Sequence, residues 1–258
     1  MKRTSGDARR RRIAEHVVEH GTATGADLAE LTGVSLMTVH RDLDDLERRG
    51  VLRRFRGGAS ALPSTVFESS LDYRLGVNTA AKNAVARAAA ALVEPGMSVM
   101  LDDSTTVLAM ARLLTSLAPL TVVTNARRVI DLFTDREGIR LIALGGEYSR
   151  THDSFLGIPC VEAIEALSVD LVAVSTSALD SRTAYHQEQD VVLVKRAMLK
   201  SAATSALLMD HTKLARTALH RLGPVDGLDR LIVDDGADPE LLARLRERTR
   251  VTVARSDG

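Results

Sequence analysis

Residues 22–59 read TATGADLAELTGVSLMTVHRDLDDLERRGVLRRFRGGA. The pattern predicts two short helices joined by a tight turn, then a basic hairpin. Ala26, Leu28, Ala29 and Leu31 give the first helix an apolar side. Gly33 tolerates the positive φ that the turn demands. Ser35 is placed to cap the second helix, because its hydroxyl can accept an orphan backbone N–H. Val39, Leu43 and Leu46 then recur at spacings of four and three, one face of a helix. Thr38, His40 and Arg41 occupy the opposite face, and Gly50 is the expected C-terminal stop. Arg53, Arg54 and Arg56 follow in an extended segment that ends at Gly57-Gly58. This is the layout of a winged helix-turn-helix, and it implies a protein that reads double-stranded DNA.

Charge supports that reading by its distribution rather than its sum. The 258 residues carry 34 Lys/Arg against 34 Asp/Glu. Residues 1–58 hold 12 of the basic and 9 of the acidic residues, a net of +3, which leaves −3 for the remainder. The basic residues cluster at Arg9–Arg12 and in the wing, as an electrostatic footprint for DNA requires. Asp42, Asp44, Asp45 and Glu47 are read as the far side of the helix. The larger remainder is no nucleic-acid surface. Cys160 is the only cysteine, which excludes an intrachain disulfide and a cysteine zinc site, and it is read as a small buried hydrophobe. The seven histidines show no metal-ligand spacing. No segment approaches the length of a membrane span, and the charged N-terminus lacks a signal-peptide core. The expectation is a cytoplasmic protein with no cofactor and no metal.

Residues 59–77 contain Pro63 and several serines, and read as a linker with a short helix near residues 68–75. Residues 79–93 are alanine-rich and helical by propensity. Short apolar runs then alternate with helical stretches, at residues 99–101, 120–124, 139–144, 171–174, 205–209, 231–233 and 251–253. Such alternation argues for an α/β domain with a largely parallel sheet over residues 78–258. Ligands of open α/β sheets bind outside the carboxyl ends of the strands. Those ends carry Asp102, Asp103, Ser104, Thr105, Thr106, Asn125, Gly145, Gly146, Ser175, Asp210 and Lys213. The Ser-Thr-Thr opens a helix, where backbone amides suit an anion such as phosphate. Lys213 can add a positive charge. Asp102, Asp103 and Asn125 can meet sugar hydroxyls.

The chain resembles DeoR-family transcriptional regulators over nearly its whole length. ELTGVSLMTVHRDLDDLERRGVLRRFRGGA resembles the family's helix-turn-helix and wing. LDDSTT, VVTNA, LGGEYSRTHDSFLG, VKRAMLKSA and LLMDHTK resemble, in order, the segments of its second domain. The resemblance adds Arg150 and Lys195 to the ligand residues. It implies a second domain similar in fold to sugar-phosphate isomerases and CoA transferases, which senses a phosphorylated sugar or related metabolite. It implies further a repressor of a carbohydrate catabolic operon, and because one helix-turn-helix gives only a short footprint, a dimer or tetramer is expected. Three positions depart from the family pattern. Ser104 stands where a glycine is usual, Ser175 to Ala178 replace a glycine-containing loop, and His40 stands where arginine is more frequent. His186 beyond that loop is read as a surface or hydrogen-bonded loop histidine, or as an effector contact.

A rival class is an isomerase or transferase with a DNA-binding appendage. Isomerisation needs a placed general base, and Asp102, Asp103, Asp180 and Asp210 are the nominal candidates. The glycine- and lysine-rich stretch with a nearby glutamate, by which such isomerases resemble one another, is absent from the sequence. On the DNA side, Ser35 and Thr38 are expected at phosphates, and His40 or Arg41 at base edges. Met37 meets a thymine methyl or packs internally, and Arg54 and Arg56 serve the wing. Replacing Arg41 with Ala is expected to weaken specific operator binding by about 1–3 kcal/mol. Titration of wild type and variant on the same duplex measures it.

Overall fold

The computed structural model describes residues 2–48, 51–61 and 71–255. Gly50, Pro63 and the residues from Glu68 to the start of helix Leu71–Gly76 lie outside the described residues. The chain divides into two compact units, residues 1–77 and residues 78–258.

In the first unit, helices Lys2–His20, Gly25–Thr32 and Leu36–Arg48 pack around Ile13, Val17, Leu28, Val39, Leu43 and Leu46. Thr24 caps the second helix through a capping box with Asp27, and Gly33 ends it in the left-handed conformation at φ 67°. Three short strands complete the unit: β1 (Thr22–Thr24), β2 (Leu52–Phe55) and β3 (Gly58–Ala61), in the antiparallel order β1-β3-β2. Residues 59–61, read from sequence as the start of the linker, are therefore the outgoing arm of the wing. Gly58 is where the two arms meet β1. A β-carbon at Gly58 would stand 2.2 Å from the Ala23 carbonyl oxygen and 2.9 Å from Phe55 Cζ.

The second unit is built on a seven-stranded parallel sheet. Its strands are β4 (Ser98–Leu101), β5 (Leu120–Thr124), β6 (Ile139–Ala143), β9 (Val169–Val174), β12 (Ala202–Met209), β14 (Arg230–Asp234) and β15 (Arg250–Ala254). Their order is β15-β14-β12-β9-β4-β5-β6. The inner strands β4, β5, β9, β12 and β14 are largely runs of buried Val, Leu, Met and Ala, as a sheet covered on both faces requires, while the edge strands β6 and β15 are more exposed. The chain runs β4, β5, β6 toward one edge, then returns to place β9 on the other side of β4. The strand order thus reverses between β4 and β9, the switch point at which such sheets open a crevice.

Two smaller sheets were not anticipated. A hairpin joins β7 (Glu147–Ser149) to β8 (Ser154–Leu156). An antiparallel sheet orders β10 (Ala178–Leu179), β11 (Thr183–His186) and β13 (His220–Pro224). Substituting Gly58 with Ala is expected to destabilise the first unit by about 1–3 kcal/mol, because a backbone carbonyl must give way. Chemical denaturation followed by circular dichroism should register this in the transition of the first unit and leave that of the second unchanged.

Candidate functional site

Helix Leu36–Arg48 buries Val39, Asp42, Leu43 and Leu46 and presents its other face to solvent. Ser35 starts it as expected: its hydroxyl accepts the Thr38 amide at 3.3 Å and meets the Thr38 hydroxyl at 3.0 Å. Met37 is 66% exposed, so internal packing is not its role. Arg41 and Arg56 are exposed as well, and His40 is half-buried.

Arg9, Arg10 and Arg54 are instead used inside the unit. Asp42, read from sequence as part of a solvated acidic side, is buried. It accepts from Arg9 Nε at 2.6 Å and Nη2 at 3.2 Å, and from Arg10 Nη1 at 3.4 Å. Arg10 Nε also lies 3.3 Å from Asp45. The hydrogen bonds from Arg9 to Asp42 raise the guanidinium pKa. These pairs lash helix Lys2–His20 to helix Leu36–Arg48. Arg54, on β2, turns back onto the same helix, where it bonds Asp44 and approaches His40 Nδ1 at 3.0 Å. Its amide donates to Glu47 at 2.8 Å.

In the second unit the switch point is filled by a buried ionic triad. Lys195 reaches it from helix Gln189–Lys200 and is 2% exposed. Its Nζ donates to Asp102 Oδ2 at 2.5 Å and to Asp103 Oδ1 at 2.9 Å. Burial opposes the charge on Lys195, but the adjacent carboxylates of Asp102 and Asp103 outweigh it and raise its pKa above the usual lysine range. Asp102 also accepts from the Ser104 amide at 2.9 Å and the Ser175 amide at 2.8 Å, so it bridges the ends of β4 and β9. Asp103 accepts from the Ser154 hydroxyl at 3.0 Å. His152 and His186, both buried, stand beyond it, with ring centroids 6.1 Å apart. His152 lies between Asp103 Oδ2 at 3.8 Å and Glu188 Oε1 at 3.0 Å.

Ser104 opens helix Thr105–Leu114 and caps it by accepting the Val107 amide at 3.1 Å. Thr105 and Thr106 follow, both buried, and the Thr106 hydroxyl has no hydrogen-bond partner. Asn125 donates to the Phe155 carbonyl at 2.9 Å, while its buried Oδ1 is unpartnered. Asn125 therefore holds the returning β8 strand and leaves one oxygen for something else.

The turn between β7 and β8 carries its own clamp. Asp153 is a buried non-glycine residue at φ 54°. Arg127 donates to both its oxygens at 2.6 and 2.9 Å, Arg128 at 3.2 Å and the Tyr148 hydroxyl at 2.7 Å. Burial works against the Asp153 carboxylate, but these donors lower its pKa nonetheless. The clamp fixes the neighbours His152 and Ser154 against Asp103. Gly145 and Gly146 lie just before β7 and are exposed. Gly146 is needed for packing: at φ 143°, a β-carbon would stand 2.3 Å from the Leu156 carbonyl. Arg150 is exposed in the turn itself.

A second polar group forms beyond β12. Asp210 is fully buried. Its Oδ1 accepts from Asn78 Nδ2 at 3.1 Å and from the Thr212 hydroxyl, and Lys213 Nζ lies 3.8 Å from its Oδ2. Burial raises the Asp210 pKa, but Lys213, Thr212, Lys82 and Asn78 together lower it below the ordinary carboxylate range. Asn78 and Lys82 belong to this group, and the sequence reading missed both. Asn78 precedes helix Thr79–Ala90 in the left-handed conformation and makes no side-chain cap, since its amide is turned to Asp210 and Thr212. Only the spacing of Asn78 and Lys82, one helical turn apart, could have hinted at a shared face.

Cys160 is buried, and burial, then the charge of Asp103, pushes its thiol up to about 11, which makes it inert. Among the described residues no group of three or more His, Cys, Asp or Glu side chains could hold a metal ion.

Residues 9–65 match the model of the DeoR-like helix-turn-helix domain, and residues 77–235 that of the DeoR C terminal sensor domain. The HTH-type transcriptional repressor GlcR of Bacillus subtilis (strain 168) is 34% identical, over 86% of this chain and 86% of its own. The L-fucose operon activator of Escherichia coli (strain K12) is 31% identical, over 88% and 95%. The glycerol-3-phosphate regulon repressor of Escherichia coli (strain K12) is 29% identical, over 91% and 92%.

Removing the Lys195 charge alone strands two buried carboxylates. Lys195→Met is expected to cost about 3–5 kcal/mol of stability. Adding Asp103→Asn should restore part of it, because one uncompensated charge goes with it. Urea unfolding of the wild type and the two variants measures both effects.

Proposed function

The chain belongs to the DeoR family of DNA-binding transcriptional regulators, and we propose that it represses a carbohydrate catabolic operon and leaves its operator when a phosphorylated sugar binds the second unit. The observation that carries the ligand half is the pair of unpartnered buried oxygens, Thr106 Oγ1 in the first turn of the helix after β4 and Asn125 Oδ1 just after the neighbouring parallel strand β5. Buried polar groups are hydrogen-bonded in folded proteins, so two orphans close to the switch point support the reading of a ligand there.

The chemistry fits a sugar phosphate. The first turn of a helix has unpaired amides. Ser104 takes that of Val107, which leaves those of Thr105 and Thr106 to an anion. Lys82 and Lys213 supply positive charge beside Asp210. Lys195 holds Asp102 and Asp103 in place, and His152, His186 and Asn125 offer polar atoms to hydroxyl groups. Gly145, Gly146, Ser175 and Arg150 border this site.

Binding, not turnover, is its work. The carboxylates that could act as bases are each engaged: Asp102 by Lys195 and two amides, Asp103 by Lys195 and Ser154, Asp180 by the Arg182 and Thr183 amides and the Tyr185 hydroxyl, Asp210 by Asn78 and Thr212. On the DNA side, Ser35 and Thr38 meet phosphates, Met37 a thymine methyl, Arg41 a base edge and Arg56 the backbone under the wing. Two or four copies act together, because paired half-sites give an operator its length and affinity. No helix among the described residues is long and apolar enough to cross a membrane, and the cytoplasm is where such an operator is met.

Fluorescence anisotropy on the gene's own upstream intergenic DNA tests both halves, with a panel of sugar phosphates and the matching free sugars. One phosphorylated compound is expected to lower operator affinity about tenfold or more. Thr106→Val should keep operator affinity and lose that response. Tight DNA binding that no phosphate alters would overturn the ligand half. Absence of specific binding at moderate salt would overturn the DNA half, and conversion of any sugar phosphate would overturn the assignment as a binder.

A further inference from the structure

Helix Leu36–Arg48 and the wing share one polar chain that the DNA-reading role does not itself explain. Arg54 lies on β2 with its side chain only 27% exposed, folded back onto the helix. One end of its guanidinium bonds Asp44. The other end, Nη2, lies 3.0 Å from His40 Nδ1. His40 and Asp44 are one helical turn apart, so a single planar fork spans both. The backbone of Arg54 is fixed too, by the Glu47 carboxylate on its amide at 2.8 Å. The His40 ring is bounded on a second side by Gly25, where a β-carbon would come within 3.8 Å of His40 Cε1.

From this geometry we infer that Arg54 is a positioning residue, which locks His40 into the tautomer that presents one N–H donor to the major groove. A guanidinium has five N–H donors and no acceptor. A ring nitrogen beside it must therefore be the acceptor, so Nδ1 carries the lone pair and the proton sits on Nε2. Flipping the ring would put a C–H against the guanidinium and lose the bond. Asp44 balances the charge of Arg54, so this arginine is not a loose cation waiting for a phosphate.

The consequence is a base preference. A single donor pairs with guanine O6 or N7, adenine N7 or thymine O4, and meets the cytosine amino group donor to donor. Arginine at the same helix position would add a positive charge and a bidentate grip on guanine. His40, held by Arg54, offers one neutral donor and rejects cytosine. The inference rests on helix Leu36–Arg48 being the element that enters the groove.

The tautomer is read first, on the unaltered full-length protein, by nitrogen-15 NMR of the histidine rings. His40 is expected as the Nε2–H form with Nδ1 in a hydrogen bond. An Nδ1–H form, or rapid mixing of the two, overturns the inference without any DNA. Base preference is then measured by anisotropy on operators altered one base pair at a time. His40→Ala and Arg54→Met are expected to lose discrimination at the same base pair, by about fivefold or more. The dependence of affinity on salt should stay unchanged in Arg54→Met. A fall of about 0.9 in that slope, with equal weakening on every sequence, would make Arg54 a phosphate contact instead. Unaltered base preference in His40→Ala would equally overturn the proposal.

Discussion

The ammonium of Lys195 between Asp102 and Asp103 is the contact on which the second unit's site depends. It ties helix Gln189–Lys200 to the end of β4, and Asp102 extends the tie to β9 through the Ser175 amide. All three side chains are nearly inaccessible to water. Taking such charges out of water is costly, and only close geometry with further hydrogen bonds offsets the cost. The Ser104 and Ser175 amides and the Ser154 hydroxyl supply those bonds. The strand ends around the switch point are thereby held in register by the protein's own groups, the preorganisation that selective binding at the proposed site would need.

The first unit handles charge by the same logic. Its basic residues divide into two populations with different work. Arg9, Arg10 and Arg54 face acids of helix Leu36–Arg48 and hold that helix on its scaffold. Arg12, Arg41, Arg53 and Arg56 stay exposed. A count of positive charge cannot separate the two groups, since both contribute equally to the net. Their partners separate them, and the partners are fixed by folding.

That difference describes what the sequence makes legible. Val39, Leu43 and Leu46 disclose a helix because burial imposes its period on neighbouring residues. Strands such as Leu120–Thr124 disclose themselves because sheet burial on both faces makes them continuously apolar. The order of polar residues after each strand follows, and with it the location of the crevice. The pairings were not legible. Asn78 meets Asp210 across 132 residues, and Lys195 meets Asp102 across 93. No local period encodes such contacts. Strands of two or three residues, as in β7, β8 and β10, are too short for alternation to register. Asp42 misleads for a related reason: an acid at a buried helical position looks solvated until its arginines are seen.

The Asp153 clamp bears on how the site's preferences can be changed. A non-glycine residue with positive φ is held there by two arginines and a tyrosine, all outside the triad. Asparagine and glycine are the replacements that accept such a backbone most readily. Either would still take away carboxylate oxygens that Arg127, Arg128 and Tyr148 hold, and the turn carries His152 and Ser154. If the proposed ligand site is to accept a different ligand, Arg127, Arg128 and Tyr148 are the place to begin. Loosening that outer support would shift two side chains of the crevice while every group inside it keeps its chemical identity.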